Sequence, residues 1–132
     1  LTPCAHIAII RFDGSLFFAN TAYLENSIQA IMNDQKRDIK ALVLLADGIN
    51  YIDFSGIEAL ARIAKSYRES GYHFLIGTIK SHILHELRKS EEMHDIGEDF
   101  IYLDERVGIR HIYRQCHTDS DETVCPLKGY VR

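Results

Sequence analysis

The run Asp53-Phe54-Ser55-Gly56-Ile57-Glu58 gathers two carboxylates, a hydroxyl and a glycine within a few positions. It follows an apolar run and opens a stripe of apolar residues at helical spacing. In open α/β sheets, sites form where the carboxyl ends of strands lead into helix N-termini. Two kinds of chemistry fit the residues. One is structural: Ser55 and Glu58 match the capping box S-x-x-E, in which the serine oxygen takes a first-turn N–H and the glutamate reaches back. Asp53 then adds negative charge beside the positive helix end, and Gly56 allows close backbone approach. Spacing alone favours this cap. The other is a regulated hydroxyl. A phosphate on Ser55 would sit over the N–H groups of the helix start and repel Asp53 and Glu58, so charge insertion would act as a switch.

Other chemistry does not assemble. Ser55 lacks the G-x-S-x-G elbow of a nucleophilic serine, and no histidine lies close to it in sequence. No G-x-x-x-x-G-K run is present to cradle phosphates. His82 and His85 share a helix face beside Glu86, but the order matches neither H-E-x-x-H nor H-x-x-E-H, so solvated surface histidines are favoured. Cys116, His117 and Cys125 form a looser group, with eight residues between the cysteines. Paired zinc ligands are usually separated by about two to four, so free thiols or a tail disulfide are favoured. No residue is assigned a catalytic or metal-binding role, and no cofactor is expected. Ser120 stands among Asp119, Asp121 and Glu122, which gives a faint phosphosite signal in an acidic, solvated tail.

The elements that position these residues follow from periodicity. Ile7–Phe12 reads as a buried strand. Asp13-Gly14 then Ser15–Phe18 reads as the turn and second strand of a β-hairpin, because Asp-Gly suits the positive φ of a type I′ turn. Leu24, Ile28 and Ile31 mark a helix capped by Asn20 or Thr21. Ala41–Leu45 is a central strand covered on both faces. A loop over 47–53 leads to a second helix with the stripe Ile57, Leu60, Ala61, Ala64 and Tyr67, stopped by Gly71. His73–Ile76 is a strand, Ser81 caps a third helix, Phe100–Tyr102 is a short strand, and Asp104 caps a final helix to about Arg114. The order β-β-α-β-α-β-α-β-α implies an α/β fold with a mostly parallel sheet, the hairpin being its antiparallel part. Residues 1–4 read as a linker, 5–114 as one domain and 115–132 as a tail.

Composition agrees with one domain. The chain has 132 residues, 46% hydrophobic and 26% charged, which is too apolar for a wholly disordered chain. Fifteen basic residues are scattered, and the net charge is −4, which argues against a nucleic-acid partner. The longest apolar run, Ala41–Ala46, falls far short of the roughly 20 residues of a membrane span. The three cysteines (Cys4, Cys116, Cys125) fit reduced thiols in a cytosolic setting better than a secreted disulfide framework. The chain begins at Leu1 rather than Met, which is read as a domain cut from a longer polypeptide.

The segment Tyr51-Ile52-Asp53-Phe54-Ser55-Gly56-Ile57-Glu58-Ala59-Leu60 resembles the signature loop of STAS domains (sulfate transporter and anti-sigma factor antagonist), whose element order is the one above. The resemblance covers about residues 5–114. One branch, the anti-sigma factor antagonists, carries D-S-S-G with the second serine phosphorylated. Asp53, Ser55 and Gly56 match that pattern and Phe54 departs from it. The other branch, the cytoplasmic C-terminal domain of SulP anion permeases, carries an early segment like L-x-F-A-N-A. Leu16-Phe17-Phe18-Ala19-Asn20-Thr21-Ala22-Tyr23-Leu24 resembles it, and this more discriminating motif favours the permease branch. The resemblance implies a non-catalytic regulatory domain on the cytoplasmic face of the inner (plasma) membrane. Its implied partners are the transmembrane transport domain of its own polypeptide, a second copy, and a cytosolic protein such as acyl carrier protein, with weak nucleotide binding known in the family. The loop Asp53, Phe54, Ser55, Gly56 and Glu58 is the implied interaction site. The alternative is a free anti-sigma factor antagonist switched by phosphorylation of Ser55.

Overall fold

The structure, a computed structural model, describes residues 6–34 and 37–116. In chain order they form β1 (Ile7–Arg11), β2 (Gly14–Leu16), α1 (Thr21–Met32), β3 (Ala41–Leu45), β4 (Ile49–Ile52) and α2 (Phe54–Glu69). Then follow β5 (His73–Gly77), α3 (Ser81–Arg88), α4 (Met93–Ile96), a 3-10 turn (Glu98–Phe100), β6 (Ile101–Tyr102) and α5 (Glu105–Cys116). Strands β1, β3, β5 and β6 lie side by side in that order, all parallel.

Side-chain alternation along these strands sorts the core into two layers. Ala8, Leu42, Leu44, Phe74 and Ile76 face the larger layer, with Leu24 and Ile28 of α1 and Ile57, Leu60 and Ala64 of α2. Ile7, Ala41, Val43 and Leu75 face the smaller one, closed by Ile109, Ile112 and Tyr113 of α5. β3 is buried along nearly its whole length, as a central strand must be when both faces are covered.

The expected α/β order with a mostly parallel sheet is present. The expected N-terminal hairpin is not. β1 and β2 do not pair; β2 instead runs parallel to β4 in a separate two-stranded sheet, with Ser15 opposite Tyr51 and Leu16 opposite Ile52. A type I′ turn needs positive φ at both central residues. Here only Gly14 has it, at +114°. Asp13 is held elsewhere, its Oδ1 2.9 Å from Nε of Arg11, while Gly14 N–H donates to the Gly48 carbonyl at 2.8 Å. β4 occupies what reads as loop in the sequence.

Cap assignments also shift. Ser81 is the first residue of α3, and Lys80 holds the N-cap position without a side-chain bond. Asp104 does cap α5, accepting the Arg106 N–H at 2.9 Å. α2 ends as expected, with Gly71 just beyond it at φ +93°. Its last turn is anchored by Arg68, which donates to the Asp95 and Phe74 carbonyls at 2.9 Å each and lies 4.2 Å from the Phe100 ring centroid. Burial pushes the pKa of this guanidinium down.

Candidate functional site

The two motifs singled out in the sequence, 16–24 and 53–60, meet at the start of α2. Asp53 is the N-cap, in extended conformation, and its Oδ1 accepts the Gly56 N–H at 2.8 Å. Its backbone N–H donates to the Leu16 carbonyl at 3.2 Å, and the Phe18 N–H points to Oδ2 at 3.4 Å. One aspartate therefore closes the helix end and ties it to the segment leaving β2.

Ser55 is not the cap. It is the second residue of α2, half-buried, and its hydroxyl has no hydrogen-bond partner among the described residues. The capping-box reading of Ser55 with Glu58 is thus replaced by Asp53 with Gly56. Asp53 wins because α2 already begins at Phe54, which places Gly56, not Glu58, at the third helical position. Glu58 is exposed, one helical turn beyond Phe54.

Gly56 is required by close approach rather than by backbone conformation. A Cβ there would stand 2.4 Å from the Leu16 carbonyl oxygen and 2.8 Å from Cγ1 of Ile52. The Leu16–Asn20 turn is in turn fixed by Asn20. Its amide accepts the Phe17 N–H at 2.9 Å and donates to the Ser15 carbonyl. Asn20 stands at the N-cap position of α1, as expected, but its side chain braces the preceding turn instead of the helix.

Around this rigid junction stand four aromatic rings in contact with solvent: Phe18 (73% exposed), Tyr23 (70%), Phe54 (60%) and Tyr51 (57%). Phe54 belonged to the expected loop; the other three were not singled out as site residues. A signal existed for Phe18. The expected strand over 15–18 placed Phe17 and Phe18 on opposite faces, but β2 ends at Leu16 and Phe18 stands in the turn closed by the Asn20 N–H on the Phe17 carbonyl at 2.9 Å, which is what exposes it.

The remaining candidates are dispersed. His82 and His85 are both exposed, and Nε2 of His82 lies 2.8 Å from the Asn50 carbonyl. Among the described residues no three His, Cys, Asp or Glu side chains converge as a metal site. His117, Ser120, Cys125 and the acidic tail lie outside the described residues, as does Cys4.

The junction joins two segments whose sequences resemble one family, and the family model of the STAS domain matches residues 4–106. The chain belongs to the STAS domain family. Its relatives include Sulfate transporter 1.2 of Arabidopsis thaliana, 26% identical over 105 residues, covering 74% of this chain and 16% of the relative. Sulfate transporter 3.2 of the same plant is 23% identical over 128 residues, covering 91% of this chain and 20% of the relative. This STAS domain thus spans a fifth or less of the length of these curated relatives, so it resembles one part of a transporter polypeptide. Among solved structures, the STAS domain of a SulP transporter from Vibrio cholerae shares the fold with a TM-score of 0.70 at 19% identity, covering 89% of each chain. The murine anion transporter Slc26a9 does so with a TM-score of 0.73 at 18% identity, over 84% of this chain and 18% of that one. No helix among the described residues is long and apolar enough to cross a membrane.

Proposed function

We propose that this STAS domain is the regulatory, protein-contacting part of a SulP-type transporter of sulfate or another anion. It stands on the cytoplasmic face of the membrane and works by binding rather than by catalysis. The first partner is the transmembrane transport domain of the same polypeptide. The kinship with proteins named as sulfate transporters, of which the chain matches only a small share, supports that reading. Dimer contacts, a cytosolic protein such as acyl carrier protein, and weak nucleotide binding belong to the same reading as binding events.

The observation that carries the contact role is the aromatic ring set around the capped start of α2. Exposed aromatics held on rigid backbone are the anchors that protein interfaces favour. The test is Phe54→Ser in the full-length transporter. Because Phe54 is largely solvated, the domain should stay folded while anion uptake or surface abundance changes. Uptake and abundance both equal to wild type would refute the contact role.

A second reading has its own observation. The Ser55 hydroxyl is left free by the Asp53 cap, so a phosphate could be placed there without removing the helix cap. In this alternative the chain is a free anti-sigma factor antagonist. Incubation with ATP and a kinase encoded beside its gene should then add one phosphate at Ser55, read by intact mass. An unchanged mass would refute it.

A further inference from the structure

Beside the α2 junction, a cleft of about 430 Å³ lies between the start of α2 and the segment joining α3 to α4. Its apolar lining is Ile52, Phe54 and Ile57, and the rest is polar: Glu86, Lys89, Ser90, Glu91 and Glu92. Glu86 is neutralised by Lys89 at 3.1 Å. Glu91 and Glu92 have no ion-pair partner among the described residues. An apolar wall beside a rim left net negative by Glu91 and Glu92 suits a ligand with a large apolar side chain flanked by cations.

We propose that this cleft seats a lysine- and arginine-rich segment of the transport domain of the same polypeptide, anchored by one large apolar side chain. The inference rests on the reading of the chain as a transporter domain and adds the chemistry of its partner. Loops that border a bilayer on its cytoplasmic side are enriched in Lys and Arg, which makes them the cationic surface within reach of such a domain. Charge complementarity then sets orientation and encounter, and the apolar anchor resists dissociation.

The experiment uses the 132-residue chain. The probe is a short synthetic peptide with a central leucine flanked by lysines and arginines, titrated by fluorescence anisotropy at low and high salt. Binding should weaken as salt rises, because the rim charges are partly solvated. The double substitution Glu91→Lys with Glu92→Lys should weaken it about tenfold or more with an unchanged thermal melt, and serine in place of the peptide leucine should do the same. Equal binding of an acidic peptide with the same leucine would overturn the proposal, as would an unaffected double variant. A third overturning result concerns a second copy of the chain. Leu103, just after β6, and Arg106 and Val107 on α5 are exposed, so concentration-dependent self-association abolished both by Arg106→Glu and by Glu91→Lys with Glu92→Lys would assign the cleft to that copy. If full-length uptake responds to Phe54→Ser but the peptide does not bind, the cleft proposal alone falls. If the peptide binds as expected and uptake ignores Phe54→Ser, the regulatory reading alone falls.

Discussion

Replacing Asp53 with alanine removes the side chain that closes α2. Loss of an N-cap oxygen costs typically about 1 kcal/mol. The same substitution removes a negative charge from the positive end of a helix of 16 residues, which adds roughly 0.3–1 kcal/mol. The Phe18 N–H contact to Oδ2, at 3.4 Å, is too long to add much. The sum is about 1.3–2 kcal/mol for Asp53→Ala. Asp53→Asn keeps a capping oxygen and loses only the charge, so it should cost at most about 1 kcal/mol. Ser55→Ala, which breaks no hydrogen bond among the described residues, should stay within about 0.5 kcal/mol of wild type. The chain has no tryptophan, so urea unfolding is best followed by far-UV circular dichroism. A shifted midpoint with an unchanged slope reports a change in stability alone. Asp53→Ala as stable as wild type, with Ser55→Ala about 1 kcal/mol weaker, would refute the argument and return the cap to Ser55.

Gly56→Ala gains about 1 kcal/mol of helix propensity but drives a methyl into the Leu16 carbonyl, at a cost of about 1–3 kcal/mol plus the strained Asp53–Leu16 bond. A net loss of stability is expected on urea unfolding, and a gain would show that the backbone yields. Asn20→Ala unties the turn between β2 and α1, so amide exchange over 15–20 should speed up markedly while exchange in β3 stays as in wild type. Arg68→Ala removes two hydrogen bonds from a charged donor and a cation–π contact, which should cost about 2–4 kcal/mol by the same unfolding assay.

The helical stripes were legible because each is a local pattern. Leu24 and Ile28, and Ile57 through Ala64, repeat at a spacing that only a helix puts on one face, and Ala41–Leu45 is too apolar to be anything but a covered strand. β4 was not legible. Its burial runs buried-exposed-exposed-buried over Ile49–Ile52, without alternation, and it exists because β2 arrives beside it. The hairpin failed for the complementary reason: Asp13-Gly14 carries a turn signal, but partner choice is decided by where Gly48 and Leu16 lie in space. At the candidate site, the motif residues could be named from sequence while their division of labour could not. Asp53 and Ser55 are both good caps, and only the contact of Gly56 with Leu16 fixes where the helix starts.

That contact also makes the two segments one heritable part. The Leu16 carbonyl is held by the Asp53 N–H and leaves no room for a side chain at position 56, so the shape of each segment is a template for the other. A chimera that imports 53–60 from another family member without 16–20 inherits a helix start cut for a different carbonyl. Anyone transplanting the binding face between members of the family must move both segments together.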